Sequence, residues 1–231
     1  VWRWMVVAAF VLLCLYALVP NLLTRLCRLW ALRTGPVRRE VALTFDDGPD
    51  AKYTGRLLDA LKAVGVRATF FVVGQKALAH PDLIRRMIAE GHQVEVHGWT
   101  HAFVPLLPPG RTLRQFRRTT DALGRTFCLR PRFYRPTWGA LNAVTLCAAL
   151  RTHRLVTWSI MVGDWRVQPP GQVLQRVVER LHPGAIIVLH DSDETLGAEA
   201  GAPEQVIALI PELARRVRAS GYSFRTLDEW Y

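Results

Sequence analysis

Apolar and polar positions divide this chain into two unequal regimes. From Trp4 to Thr24 no charged residue occurs, and Met5 to Val19 is almost continuously apolar. Together these approach the ~20 residues needed to cross a ~30 Å hydrocarbon core. The run lacks the polar stripe of a helix half-buried in a soluble core. It therefore predicts one transmembrane helix through residues 4–24, with Trp2, Trp4 and Trp30 marking the interfaces. A cleaved signal peptide fits less well, because the run is long for such a segment and no small-residue cleavage site follows it.

Beyond a short polar stretch at residues 33–40, β-branched and apolar runs alternate with amphipathic ones. The runs predict strands at Val41–Phe45, Ala68–Val73, Gln93–His97, Phe133–Arg135, Leu155–Ile160, Ala185–His190 and Ser223–Thr226. Helices are expected near Thr54–Val64, Pro81–Glu90, Thr112–Leu123, Val144–Leu150, Gln172–Leu181 and Glu204–Ala219. Gly65, Gly91 and Gly124 follow three of them, where a C-terminal cap is expected. Such alternation implies an α/β fold with a parallel sheet and crossover helices, and at this length a closed or partly closed barrel fits better than a sandwich. The expected organisation is an anchor helix and its flank over 1–32, a linker over 33–40 and one domain over 41–231.

Composition changes this picture little. Half of the 231 residues are apolar, and 16 glycines with 14 prolines are too few for a disordered or low-complexity chain. The formal charge of +11 comes from arginines scattered from Arg3 to Arg225. No element interleaves basic and aromatic residues and no nucleic-acid motif occurs, so nucleic acid is not an expected partner. Attraction to an anionic membrane or wall polymer, or a general preference for arginine over lysine, accounts for the excess. Cys14, Cys27, Cys128 and Cys147 show neither metal-ligand spacing nor a disulfide framework. Cys14 reads as a small hydrophobe, since Val11-Leu12-Leu13 does not end in the small residues of a lipoprotein cleavage site.

Polar clusters fall at the ends of the predicted strands, where active sites of such barrels gather. Asp46 and Asp47 are adjacent carboxylates, costly to crowd together without a cation or a shared proton. Gly48 and Pro49 turn the chain so that both acids can face one pocket, although Asp-Gly-Pro is also ordinary turn chemistry. His97 and His101, four apart after another strand, can aim two imidazoles at one ion. Arg135 to Gly139, the Asp164-Trp165 pair, and His190-Asp191 after a fully apolar strand complete five clusters at five strand ends. Singly each is weak. Five together are hard to assign to chance.

In order and approximate spacing these boxes resemble the polysaccharide deacetylases, the NodB-homology family (carbohydrate esterase family 4). The likeness covers Thr-Phe-Asp-Asp-Gly at Thr44–Gly48, the paired histidines, Arg135-Pro-x-x-Gly139, Asp164-Trp165 and Leu189-His190-Asp191, and the tail from Gly221 extends it toward Tyr231. The resemblance implies a distorted (β/α) barrel of about seven parallel strands over 41–231, preceded by the transmembrane helix. It further implies that Asp47, His97 and His101 bind one divalent metal, zinc by default with cobalt, nickel or manganese as alternatives. Asp46 would be the general base and His190 the general acid. Arg135 would hold Asp46 ionised, Asp164 would orient and charge His190, and Trp138, Trp165 and Leu189 would line the acetyl pocket.

The residue chemistry is consistent with these roles. An Asp-His-His set leaves coordination positions open for a water and a carbonyl oxygen. A carboxylate beside that water can take its proton, and a protonated histidine can donate to a departing amine. The expected activity is removal of N-acetyl groups from N-acetylglucosamine-type units of peptidoglycan, chitin or oligosaccharides. An amidase for another small non-peptide amide, a non-catalytic membrane-anchored glycan binder and, least favoured, an iron oxygenase remain as alternatives. Met161, Gly98 and Thr137 depart from the family pattern without removing a ligand, acid or base. Arg25, Arg28, Arg33, Arg38 and Arg39 follow the apolar run while only Arg3 precedes it. Local charge thus favours a cytoplasmic domain, against a wall substrate. Long domains translocate despite such charge, so a single-pass protein with an extracytoplasmic domain is expected.

Overall fold

The computed structural model describes residues 1–231. Helix α1 (Trp2–Leu13), a widened turn at Cys14–Leu18 and helix α2 (Val19–Arg25) form one continuous apolar rod. Its length and hydropathy suffice to cross a membrane, and little of it is buried.

The remainder alternates strands and helices as the pattern predicts. The strands are β1 (Ala31–Leu32), β2 (Glu40–Asp46), β3 (Thr69–Val72), β4 (Gln93–Val96), β5 (Phe133–Tyr134), β6 (Arg154–Val156), β7 (Ile160–Met161), β8 (Ala185–His190) and β9 (Ser223–Arg225). Around them lie α3 (Thr54–Ala63), α4 (Gly74–Ala79), α5 (Pro81–Ala89), α6 (Pro109–Phe127), α7 (Ala143–Thr152), α8 (Pro170–Val178) and α9 (Ala202–Ala219). All strand pairs are parallel, in the order β1-β6-β5-β4-β3-β2-β8-β7. Strand β9 shares one edge of β2 with β3, pairing with Glu40–Ala42 while β3 pairs with Thr44–Asp46.

The sheet curls so that one short stretch of chain joins β6, next to the β1 end of the order, to β7 at the other end. The expected single strand Leu155–Ile160 is broken, with β6 on β5 and β7 on β8 at the opposite end of the order. Thr157, Trp158 and Ser159 make the crossing, and the Thr157 and Ser159 amides bond to Leu32 and Ile186 carbonyls. Curling of the sheet, a non-local event, divides a stretch that is apolar in local pattern.

Strand alternation sorts the side chains into two clusters. Val41, Leu43 and Phe45 of β2 face outward to the helices in the larger core, whereas Ala42 faces inward with Phe71, Phe133, Val156 and Ile186. Thr44 and Asp46 share the inward parity of Ala42. Gly65 and Gly91 take the left-handed backbone expected of caps, at φ 60° and 78°. Gly124 does not serve as a cap. Helix α6 continues through it to Phe127, and Cys128 takes the left-handed position at φ 57°.

Candidate active site

Strand register sets the site. Asp46 is paired with His190 across β2 and β8, while the His97 amide bonds to Val72 at the end of β3 and the Arg135 amide to Val96 at the end of β4. The ends of adjacent strands therefore present Asp46, His97, Arg135 and His190 along one rim of the barrel. A cleft of about 320 Å³ opens there, lined by Asp46, Asp47, His97, His101, Trp138, Trp165 and His190 among others.

Asp47, His97 and His101 offer ligand atoms that all lie within 4.8 Å of one another. Asp47 Oδ1 is 3.2 Å from His97 Nε2 and 2.9 Å from His101 Nε2. It is buried with no hydrogen-bond partner, whereas Asp47 Oδ2 accepts from the Thr195 hydroxyl at 2.6 Å. His97 Nδ1 stands 2.8 Å from the Arg135 carbonyl, which can only accept, so that nitrogen carries the proton and a neutral ring turns its Nε2 lone pair toward Asp47. Burial opposes ionisation of Asp47, but the imidazoles of His101 and His97 outweigh it and hold the carboxyl well below the usual carboxylate range. A divalent cation among the three would take one donor atom from each imidazole and from the otherwise unpartnered Asp47 Oδ1. The donor set thus fits a metal.

Local backbone geometry supports the convergence. Asp47, His101 and Trp138 sit at φ 77°, 52° and 52°, a region non-glycine residues enter at a cost. Gln115 of α6 holds the His97–His101 loop, its Oε1 accepting from the Trp99 and Thr100 amides at 3.0 and 2.9 Å. Thr137, one of the departures from the family pattern, donates to the Ala102 carbonyl at 2.7 Å and ties that loop to the Trp138 turn.

Two charged pairs flank the cluster. Arg135 is fully buried and donates to Asp46 Oδ1 at 2.6 Å, to the Thr44 hydroxyl at 2.7 Å and to the Thr157 carbonyl at 3.0 Å. Its guanidinium carbon lies 4.1 Å from the centre of the Phe71 ring. On the other side His190 Nδ1 is 3.1 Å from both oxygens of Asp164, and Asp164 Oδ2 also accepts from the His190 amide at 2.7 Å. Burial works against a charged His190, but Asp164, with smaller help from Asp47 and Asp46, pushes its pKa up to about 10.

Trp138 packs edge-on against His101 at 4.3 Å, and Trp165 edge-on against His190 at 5.7 Å. Leu189 does not line the cleft. It is fully buried in the outer core, because strand alternation turns it away when His190 turns in, and Val188 and Met161 face the cleft instead. Trp99 is likewise buried, against Gly74 and Arg118. The sequence reading passed over Thr195, Gln115 and Arg25. Thr195 and Gln115 are single polar residues in a loop and on a helix face, and Arg25 reaches the cleft only through tertiary docking.

A family model for polysaccharide deacetylases matches residues 34–156, and the chain belongs to the polysaccharide deacetylase family. It is 32% identical over 193 residues to the peptidoglycan-N-acetylglucosamine deacetylase of Listeria monocytogenes, a match covering 84% of this chain and 39% of that protein. The chain therefore spans well under half of that relative. A chitooligosaccharide deacetylase of Rhizobium leguminosarum bv. trifolii is 33% identical over 196 residues, covering 83% and 91%. Among solved structures, a peptidoglycan N-acetylglucosamine deacetylase superimposes with a TM-score of 0.82 at 28% identity, covering 90% of this chain and 95% of that one.

Proposed function

We propose that this protein hydrolyses the acetamide of N-acetylglucosamine-type sugars, as carried by peptidoglycan, chitin or their oligosaccharides, with one divalent metal, zinc by default, held by Asp47, His97 and His101. The observation that carries this reading is the meeting of three ligand atoms within 4.8 Å in a cleft that Asp46 and His190 also line. The deacetylase activities for which the Listeria and Rhizobium relatives are named agree with it.

Such a metal, when bound, supplies Lewis-acid polarisation of the acetamide carbonyl and a water of lowered pKa. Asp46, fixed by Arg135 and 4.0 Å from His97 Nε2, accepts the proton of the attacking water. His190, charged beside Asp164, donates a proton to the departing amine as the C–N bond breaks. Trp138 and Trp165 wall the pocket, and Val188 and Met161 give the acetyl methyl an apolar neighbour. We also read the rod Trp2–Arg25 as a membrane span carrying an extracytoplasmic domain, on the support of its 24 residues, a hydropathy of 2.4 and only 11% burial.

Metal analysis coupled to acetate release from chitooligosaccharides and purified wall glycan tests the proposal. His97→Ala is expected to lose both metal and turnover. Asp46→Asn is expected to keep the metal and lose about 10²–10⁴ in rate, the usual range for a general base. Wild-type protein that holds no divalent metal, or that releases acetate from neither substrate, would refute it.

A further inference from the structure

The apolar rod is part of the cleft. Arg25, in its last turn, lines the pocket beside His101 and Trp138, and its Nη2 donates to the Trp138 carbonyl at 2.8 Å. The preceding turns dock through Tyr16, whose hydroxyl bonds the Leu107 carbonyl, and through Asn21, which pairs with both the amide and carbonyl of Leu141 at 3.0 and 2.6 Å. Ala17, Pro20 and Thr24 are buried, whereas no residue of α1 is. Pro20 has no N–H for the Tyr16 carbonyl, and the helix widens at Cys14–Leu18, where the free rod becomes the docked one.

An open apolar groove runs beside the docked turns. Leu18, Phe103, Leu106, Trp138 and Leu196 line it, and it shares Arg25, Trp138 and Leu196 with the catalytic cleft. Phe103, Leu106 and Leu196 are exposed, at 49%, 68% and 87%. Arg3 bounds the apolar part of the undocked stretch, and the uncharged run from Trp4 to Leu15 rises only ~18 Å at 1.5 Å per residue, short of a ~30 Å hydrocarbon core. A rod that spans the bilayer therefore draws its docked turns into the membrane together with the neighbouring Phe103 and Leu106. The cleft then opens at headgroup level, not out in the aqueous phase. Helix α6 begins near this edge, with Arg111 and Arg114 exposed in its first turns, positions suited to lipid phosphates.

We infer that the substrate is lipid-borne: an N-acetylated sugar joined through phosphate to an apolar chain, with the sugar in the cleft, the phosphate at Arg25 and the chain in the groove. The inference rests on the deacetylase and membrane-span readings above and names the substrate class of that same site. The reaction remains hydrolysis. Water oxygen bonds to the acetyl carbon, the C–N bond breaks, acetate and free amine leave, and the phosphate linkage is untouched.

The test uses the full chain reconstituted in phospholipid vesicles. Acetate release is compared for N-acetylglucosamine phosphate with a long alkyl tail, the same sugar phosphate without it, and chitotetraose. The tail is expected to raise kcat/KM at least about tenfold, the effect of burying about two methylenes. Leu106→Glu should remove most of that advantage, and Arg25→Ala should lower turnover of both phosphates relative to chitotetraose. Equal kcat/KM with and without the tail overturns the inference and leaves deacetylation standing. No acetate from any of the three overturns the proposed function, and failure of the chain to float with vesicles overturns the span.

Discussion

Replacing Asp164 by Asn removes one charge while keeping nearly the same shape. The asparagine oxygen can still accept from the His190 amide, as Asp164 Oδ2 does at 2.7 Å, so the local backbone is retained. What is lost is the attraction between a carboxylate and an imidazolium whose Nδ1 lies 3.1 Å away. At an effective dielectric of about 20, unit charges at that distance attract by about 5 kcal/mol, or about four pH units. With Asp164 present, the His190 pKa stands at about 10, against the opposing effect of burial. Without it, burial prevails and His190 is expected to be neutral at pH 7. The basic limb of the kcat/KM profile for acetate release should therefore move down by about four units, to near pH 6, with a rate loss at pH 7 of about tenfold. A bound cation lowers the limb in both proteins and leaves the sign of the difference unchanged. Stability provides a second readout in metal-free protein. A raised folded pKa makes this contribution complete below about 6.5, and it is lost as pH rises through about 10. Urea unfolding of the wild type should thus weaken over that window, and the Asn variant should lose most of the slope. A basic limb in Asp164→Asn superimposable on that of the wild type would refute the reasoning.

Other perturbations probe separate parts of the site. Arg135→Met leaves the Asp46 carboxylate buried without its partner and should cost about 3–5 kcal/mol in denaturant unfolding, with no compensation from added salt. Thr195→Val removes the hydrogen bond to Asp47 Oδ2 and should weaken metal affinity about 10–100-fold in a chelator competition, with little change in melting. A Cβ at Gly48 would overlap Asp191 Oδ2, and the Thr54 hydroxyl holds that same oxygen in place at 2.5 Å. Gly48→Ala should therefore destabilise by about 1–3 kcal/mol and displace Asp47, seen as a joint loss of melting temperature and bound metal.

The polar clusters were legible in sequence because each lies next to an unmistakable apolar strand, and strand ends are where barrels gather their chemistry. The roles of neighbours were not legible. Leu189 adjoins His190 in the chain yet faces the opposite core, while Val188, two before the histidine, shares its side. Gly124 reads as a cap by residue type, but α6 runs on through it to Phe127, which packs against the core, and the left-handed turn falls at Cys128.

By itself the sequence determined the periodicities: an uninterrupted apolar rod, the alternation of strands and helices, and the acids, histidines and arginine at strand ends. These depend on near neighbours alone, through burial of one face and the chemistry of turns. Only the tertiary structure decided what meets across the barrel. It split residues 154–161 between two distant parts of the sheet, brought Thr195 to Asp47 from 148 positions away, and set Arg25 against the Trp138 turn 113 positions on. Such pairings follow from curling of the sheet and docking of the rod, which minimise exposed apolar surface and unpaired backbone over the whole molecule and leave no mark in any local window.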